Sequence, residues 1–140
     1  MIDFNGKVPK ILVIGDLMVD HYLWGSCDRI SPEAPVQVVN VKKESIVLGG
    51  AGNVINNLQS LGAHVDILSV IGVCKVSKEL TEMIKDIKVD TKYLITQDDR
   101  ITSKKTRIIA AHQQVVRYDI ESNKEIDNNS QTSLLQTFNE

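Results

Sequence analysis

Apolar residues in the first ninety positions occur both as short unbroken runs and at helical spacing. The run Ile11–Ile14 is wholly apolar and stops at Gly15, which predicts a strand buried on both faces. Val65–Ile71 predicts a second buried strand, which ends at Gly72. Strands of this kind belong to parallel sheets covered by helices, so the pattern favours an α/β, doubly wound fold.

Two helices are predicted to flank the second of these strands. The first begins at the glycine-rich stretch 49–52 and stops at Gly62. Its core face is predicted from apolar residues at helical spacing: Val54, Leu58 and Leu61. The second helix has Ser77 as its predicted N-terminal cap. Its core face is predicted from four further apolar residues: Leu80, Met83, Ile84 and Ile87.

Other parts of the chain are rich in β-forming residues and polar turns. The stretches that predict strands are His21–Trp24, Val36–Val41, Lys92–Thr96, Thr102–Ala110 and Gln114–Asp119. We expect one domain divided as follows: a core at about 8–20 and 48–90, a small β-strand lid at about 21–47 and 91–119, and a polar loop with the start of a helix at 120–140.

Composition excludes several classes of function. Sixteen basic and eighteen acidic residues give a net charge of −2, which argues against a general nucleic-acid surface. No apolar run approaches the roughly 20 residues that span a bilayer, and the first residues do not form a signal peptide. Cys27 and Cys74 are expected to be buried, reduced thiols, and the protein is expected to be cytoplasmic. The histidines have no spacing typical of a metal site.

The glycines at 49–52 precede a helix, where backbone N–H groups attract oxyanions or hydroxyls. A structural turn and a ligand loop explain them equally well. They do not form a dinucleotide fingerprint, because the third glycine is missing and Val70 stands where an acidic residue is required. A nicotinamide oxidoreductase is therefore disfavoured. No Gly-Lys-Ser/Thr of a Walker sequence occurs.

Asp16 and Asp20 follow the first predicted strand, where open α/β sheets bind their ligands. A carboxylate at such a position accepts hydrogen bonds from a polyol. The alternative is that Asp16 caps a turn and that Asp20 is simply solvated.

A basic stretch without acidic residues runs from Arg100 to Tyr118. It contains Lys104, Lys105 and Arg107, and strand alternation puts the last two on one face. That face is suited to an anion such as a sugar phosphate. An edge strand protected from aggregation by its charges is the alternative.

Several segments together resemble a known family. They are Gly15–Tyr22, Arg29–Val36, Gly49–Val54, Leu61–Ala63 and Gln113–Asp119. The chain resembles the ribokinase-like (PfkB) carbohydrate kinases, and most closely the D-glycero-β-D-manno-heptose-7-phosphate kinases, which are often fused to an adenylyltransferase. The run Arg-Ile-Ser-Pro-Glu-Ala-Pro-Val is its most specific part. The resemblance covers the whole chain, which corresponds to about the amino-terminal half of the family's kinase domain.

The resemblance implies a ribokinase-like doubly wound sheet, truncated, with a β lid that clasps a second subunit in a homodimer. It implies that four residues contact the sugar hydroxyls: Asp20, Gly49, Gly50 and Asn53. It implies three candidates for the sugar's phosphate group: Arg29, Lys105 and Arg117. The family's catalytic base lies in a Gly-Ala-Gly-Asp motif that is absent here, so we expect it downstream of Glu140.

The parent protein is expected to transfer the γ-phosphoryl group of ATP, with Mg²⁺, to the anomeric hydroxyl of the heptose phosphate. The product would be the 1,7-bisphosphate used for ADP-heptose and lipopolysaccharide core synthesis. These residues alone are expected to be inactive. The alternative is a non-catalytic module that binds a sugar phosphate and dimerises. Two departures from the family occur: residues 50–53 read Gly-Ala-Gly-Asn instead of Gly-Ala-Ala-Asn, and Val73–Ser77 lacks an aspartate.

Overall fold

A computed structural model describes residues 6–139. Its elements are, in chain order, β1 (Lys10–Ile14), β2 (Leu17–Ile30), β3 (Gln37–Gly50), α1 (Ala51–Ser60), β4 (His64–Gly72), α2 (Lys75–Asp86), β5 (Leu94–Gln97), β6 (Ser103–Ala110), β7 (Gln113–Ile120) and α3 (Asn128–Asn139). The strands form two sheets. The core sheet has the order β1-β4-β5, and the lid sheet has the order β3-β2-β6-β7.

The core sheet is parallel throughout and carries the main apolar core. β4 lies at its centre, between β1 and β5. Ile55 of α1, Ile67 of β4, and Leu80 and Ile84 of α2 are completely buried in one cluster. Strands and helices alternate as the apolar pattern predicts, and the α/β class is confirmed.

The expectation that β1 is buried on both faces is wrong. Ile11 and Val13 pack against the core cluster, whereas Leu12 and Ile14 are 43% and 49% exposed. Within residues 6–139, β1 is an edge strand with β4 as its single neighbour, and one of its faces is open.

The α1 helix ends where its sequence predicts, but its buried face is different. Leu61 follows the last helical residue, and Gly62 adopts a positive φ of 88°, which stops the helix. Val54 and Leu61, which were predicted to be core residues, are exposed. The buried stripe runs instead through Ala51 and Ile55 to the partly buried Leu58, at positions i, i+4 and i+7.

The α2 helix buries Leu80 and Ile84 as predicted, but Ser77 is not its cap. The helix begins at Lys75 and its N-cap is Cys74. Ser77 lies in the first turn, and its hydroxyl accepts a hydrogen bond of 3.1 Å from the Cys74 N–H. The side chain thus reaches back to the cap from the third helical position, in the geometry of a capping box.

The lid sheet is larger than the sequence indicates. β2 and β3 form an antiparallel hairpin of fourteen residues each, with irregularities after Trp24 and Cys27. β2 also pairs with β6 in parallel, and β6 pairs with β7 in antiparallel fashion. The expected boundaries therefore shift, because residues 17–20 and 48–50 belong to lid strands.

The stretch 92–96 was expected in the lid, but the structure puts it in the core. β5 pairs with β4 in parallel, with Leu94 opposite Ser69. A parallel pairing follows a long crossover, here through α2, and the sequence of β5 alone does not reveal its partner.

Helix α3 begins at Asn128, earlier than the expected start near Ser133. The Asp127 carboxylate accepts a hydrogen bond of 2.6 Å from the Ser130 N–H. This backbone hydrogen bond and one from the Ser130 side chain lower the pKa of Asp127. Residues 128–132 therefore belong to the helix, with Asp127 before its first turn, whereas residues 121–127 form a loop as expected. Among residues 6–139, no helix is long and apolar enough to cross a membrane.

Both cysteines are free thiols, but neither is buried as expected. Cys27 lies in β2 and Cys74 caps α2, and each is half-buried.

Candidate functional site

The two faces of the lid sheet differ in character. Val19, His21 and Thr106 lie on the face that covers the core, and all three are buried. The opposite face, which we call the charged face, carries Asp20, Tyr22, Trp24, Lys105, Arg107, Arg117 and Asp119. Strand alternation places these side chains together, because Asp20 stands opposite Lys105 and Tyr22 opposite Arg107.

The Asp20 carboxylate lies near the middle of the charged face. Arg107 Nη1 donates a hydrogen bond of 2.5 Å to Asp20 Oδ1, and the Arg107 and Asp20 side chains are 22% and 18% exposed. The hydrogen bond that Arg107 donates to this carboxylate raises the pKa of Arg107. The pair orients both side chains and leaves part of each open to a ligand.

Gly49 gives the Asp20 carboxylate its space. A Cβ atom on Gly49 would lie 2.5 Å from Asp20 Oδ2, closer than non-bonded atoms approach. The next residue, Gly50, has a φ of +56°, which glycine adopts readily. The chain then enters α1, whose first turn contains the exposed Asn53. The structure thus puts Gly49 directly against Asp20 and Asn53 just beyond it.

Asp16 is not part of this arrangement. It lies between β1 and β2 with an exposed carboxylate, and its nearest cation is Arg100, with Nη2 4.0 Å from Oδ1. Asp20 is the fourth residue of β2 and not, as expected, a residue of the loop after β1. The backbone carbonyl of Asp16 accepts a hydrogen bond of 2.9 Å from the Ala51 N–H, which holds the start of α1.

Lys105 and Arg117 are neutralised within the sheet. Lys105 Nζ donates to Asp119 Oδ2 at 3.1 Å and to Glu121 Oε2 at 3.0 Å, and these bonds raise its pKa. Arg117 donates from Nε and Nη2 to the two oxygens of Asp119, at 3.0 and 2.9 Å. Burial alone would raise the pKa of Asp119, but hydrogen bonds from Lys105 and Arg117 lower it overall.

Arg107 donates fewer hydrogen bonds than either of these two cations: one, against two each from Lys105 and Arg117. Among the described residues its side chain has one hydrogen-bond acceptor, Asp20, and a guanidinium group has five N–H donors. Its Cζ also lies 5.3 Å from the centre of the Tyr22 ring. The sequence put Arg107 on the strand face suited to an anion, but Arg107 was not among the three phosphate candidates that the resemblance implied. Its closeness to Asp20 follows from the parallel pairing of β2 and β6, which local sequence does not reveal.

Arg29 lies far from the other candidates. It is exposed near the end of β2, opposite Val38. Nine residues separate it from Asp20, which corresponds to roughly 30 Å of extended strand. The structure does not bring it to the charged-face centre around Asp20.

A lid sheet attached to a parallel core, with a carboxylate and an arginine on its open face, offers acceptors and donors to a small polar ligand. The profile of the pfkB family carbohydrate kinases matches residues 8–139. The chain therefore belongs to the pfkB family of carbohydrate kinases, and the resemblance on which its ribokinase-like fold was expected is confirmed.

Two curated relatives are particularly similar in sequence. The bifunctional protein HldE of Aliarcobacter butzleri is 64% identical over 129 residues, which are 92% of this chain and 27% of that protein. The protein of the same name from Sulfurimonas denitrificans is 54% identical over 130 residues, 93% of this chain and 27% of that protein. The chain thus spans about a quarter of the length of these relatives.

Solved structures share the fold at low sequence identity. A carbohydrate kinase from Agrobacterium tumefaciens has a TM-score of 0.62 at 23% identity, over 81% of this chain and 36% of that chain. Arabidopsis thaliana ribokinase, complexed with ribose and ATP, has a TM-score of 0.60 at 16% identity, over 83% and 36%. The chain therefore has a ribokinase-like fold but contains part of the domain seen in those kinases.

Proposed function

We propose that this chain is the sugar-binding part of a kinase that phosphorylates a heptose 7-phosphate at its anomeric hydroxyl. One observation carries the proposal: the Asp20 carboxylate lies against Gly49 and is paired with an arginine that has unused donors. Similarity to the HldE proteins over nearly the whole chain supports a phosphorylated heptose as the substrate. We expect the kinase to work in the cytoplasm.

Asp20 would hold the sugar by accepting hydrogen bonds from its hydroxyls. An ionised carboxylate accepts at two oxygens, and Asp20 Oδ2 is not used by Arg107. The missing side chain of Gly49 makes room for the carboxylate itself, which would keep Oδ2 in place for a sugar hydroxyl. Gly50 and Asn53 follow at the start of α1, where an amide side chain can donate to a further hydroxyl.

Arg107 would hold the phosphate group of the substrate. Its planar guanidinium can bridge Asp20 on one edge and a phosphate oxygen on the other, which a lysine does not do. Lys105 and Arg117 are already paired with carboxylates, and their role would be to hold the neighbouring strands and side chains in place. We therefore replace Lys105 and Arg117 by Arg107 as the first candidate for phosphate binding.

ATP with Mg²⁺ would supply the transferred phosphoryl group. Within residues 6–139, no group of three or more His, Cys, Asp or Glu side chains is arranged to hold a metal ion. We therefore assign neither Mg²⁺ nor ATP to these residues, and we expect the catalytic base outside them. The part of this chain is to bind and orient the sugar and, through the lid, to exclude water.

The test is the Asp20→Asn variant of the full-length kinase that contains this chain, with Asp16→Asn as the matched control. Loss of the charged acceptor leaves the sugar hydroxyls poorly paired. We therefore expect a lower kcat/KM for D-glycero-β-D-manno-heptose 7-phosphate, which corresponds to a loss of about 2–4 kcal/mol of transition-state stabilisation. Asp16→Asn should change it little. Equal kcat/KM for Asp20→Asn and wild type would remove Asp20 from the site. Binding of the sugar phosphate without any turnover would favour the non-catalytic module.

A further inference from the structure

We propose that the stacked rings of Tyr22 and Trp24 form a wall that recognises the carbon chain of the sugar beyond its ring, so that they select for the length of the substrate. The inference rests on the proposed function. It adds two specificity-determining residues that lie on the charged face but bear no charge.

The two rings are aligned with Asp20 on one strand face. They lie two and four residues further along β2, which corresponds to roughly 7 and 13 Å from Asp20. Their centroids are 6.0 Å apart and their planes differ by 19°. The indole is also fixed from β3, because Trp24 Nε1 donates a hydrogen bond of 3.3 Å to Ser45 Oγ. The pair is therefore an ordered surface and not two independent side chains.

Arg107 connects this surface to the sugar site. Its guanidinium contacts the Asp20 carboxylate on one side and lies over the Tyr22 ring on the other. A sugar with hydroxyls on Asp20 and a terminal phosphate on Arg107 must run along Tyr22. Aromatic rings offer a flat apolar surface to the C–H groups of such a chain.

Trp24 marks the far end of that path. Its side chain is 41% exposed, although it lies on the face of the lid that turns away from the core. A large apolar ring fixed in this position gains nothing from the core, so we infer that a ligand covers it. With its phosphate on Arg107, a six-carbon sugar phosphate would end over Tyr22, whereas the extra carbon of a seven-carbon one would push its phosphate further along, to the donors nearer Trp24.

The experiment compares two substrates in the full-length kinase. D-glycero-β-D-manno-heptose 7-phosphate is the long probe and D-mannose 6-phosphate the short one. For wild type, Tyr22→Leu, Trp24→Leu and the control Tyr93→Leu, the ratio of kcat/KM for the two sugars is measured. Tyr93 precedes β5 and lies outside the lid.

We expect the preference for the heptose to fall about tenfold in Trp24→Leu, mainly through a higher KM for the long sugar. Tyr22→Leu should weaken both sugars, and Tyr22→Phe should restore them, because the ring and not the hydroxyl makes the contact. Tyr93→Leu should keep the wild-type ratio. If Trp24→Leu does not fold, the smaller change Trp24→Phe is measured instead, and it should lower the same ratio to a lesser extent.

Two results would overturn the inference, and they differ in what they say about the proposed function. If wild type uses the heptose phosphate and the Trp24 variant keeps its preference, the wall is not a specificity element and the kinase assignment stands. A change of oligomeric state in Trp24→Leu with an unchanged ratio leads to the same conclusion, because the ring then packs against a second copy. If wild type binds neither sugar phosphate, the proposed function fails and the inference fails with it.

Discussion

The core sheet and the lid sheet are stabilised in different ways. The core sheet places completely buried apolar side chains, such as Ile67, between a strand and two helices. The lid sheet has one face of paired charges and another whose outer part is exposed and apolar. Burial of apolar surface accounts for the first, and strand pairing with ion pairs accounts for much of the second. The lid, which is less well packed than the core, carries the candidate sugar-binding residues.

The largest expected effect is on the core. Ile67→Ala should reduce the free energy of unfolding by about 2–5 kcal/mol, because it leaves a cavity in a fully buried cluster. The matched lid substitution is Val41→Ala, at a position that is 45% exposed, and it should cost less than about 0.5 kcal/mol. Urea unfolding of both variants measures the difference. Equal losses would mean that the lid is as tightly packed as the core.

Local sequence patterns predict the core more completely than the lid. β4 and the buried face of α2 were predicted correctly, because short-range apolar spacing determines them. The pairing of Asp20 with Arg107 spans 87 residues and depends on a parallel strand register. No local pattern encodes such a register. Strand alternation alone would have placed Tyr22 and Trp24 on the face of Asp20, and that signal was available.

The length of the lid hairpin was missed for a local reason. Gly25 lies at an irregularity in the β2–β3 pairing, and a Cβ there would collide with the Asn40 carbonyl. From sequence alone, a glycine inside a strand predicts that the strand is interrupted. Here Gly25 instead lets two backbones approach closely. The hairpin therefore continues through a point at which the sequence indicates an end.

The open apolar part of the lid leads to a prediction about assembly. Beyond the core, the core-covering face of the lid exposes Ile46, Val116, Tyr118 and Ile120. We expect a homodimer through this surface, because the three of these side chains that lie together on β7 form an apolar patch that a monomer rarely leaves open. Val116→Lys should give a monomer by light scattering at tens of micromolar, whereas Leu135→Lys on α3 should not. A monomeric wild type with its β signal intact in circular dichroism would contradict the dimer.

A smaller effect is expected from the ion pairs of the charged face in acid. The pKa of Asp119 is lowered from its ordinary value of 3.8, so this carboxylate stabilises the fold above that pH and loses its contribution as the pH falls through the lowered value. The pKa of Lys105 is raised, so its contribution is lost only as the pH rises above 10.5. Between pH 6 and pH 3, Tm should therefore fall slightly more in wild type than in Asp119→Asn. Asp98→Asn, outside the lid, should follow wild type; an identical acid response of Asp119→Asn would contradict the stabilising role of these pairs.

The most direct test of the account concerns Arg107. The central claim is that its unused donors bind the phosphate of a sugar held by Asp20. In the full-length kinase, kcat/KM should be compared for heptose 7-phosphate and for the same heptose without its phosphate, in wild type, Arg107→Met and Lys105→Met. The account predicts that Arg107→Met abolishes most of the preference for the phosphorylated sugar, by about 1.5–3 kcal/mol for a charged hydrogen bond, and that Lys105→Met retains it. A preference that survives Arg107→Met and disappears in Lys105→Met would contradict the account.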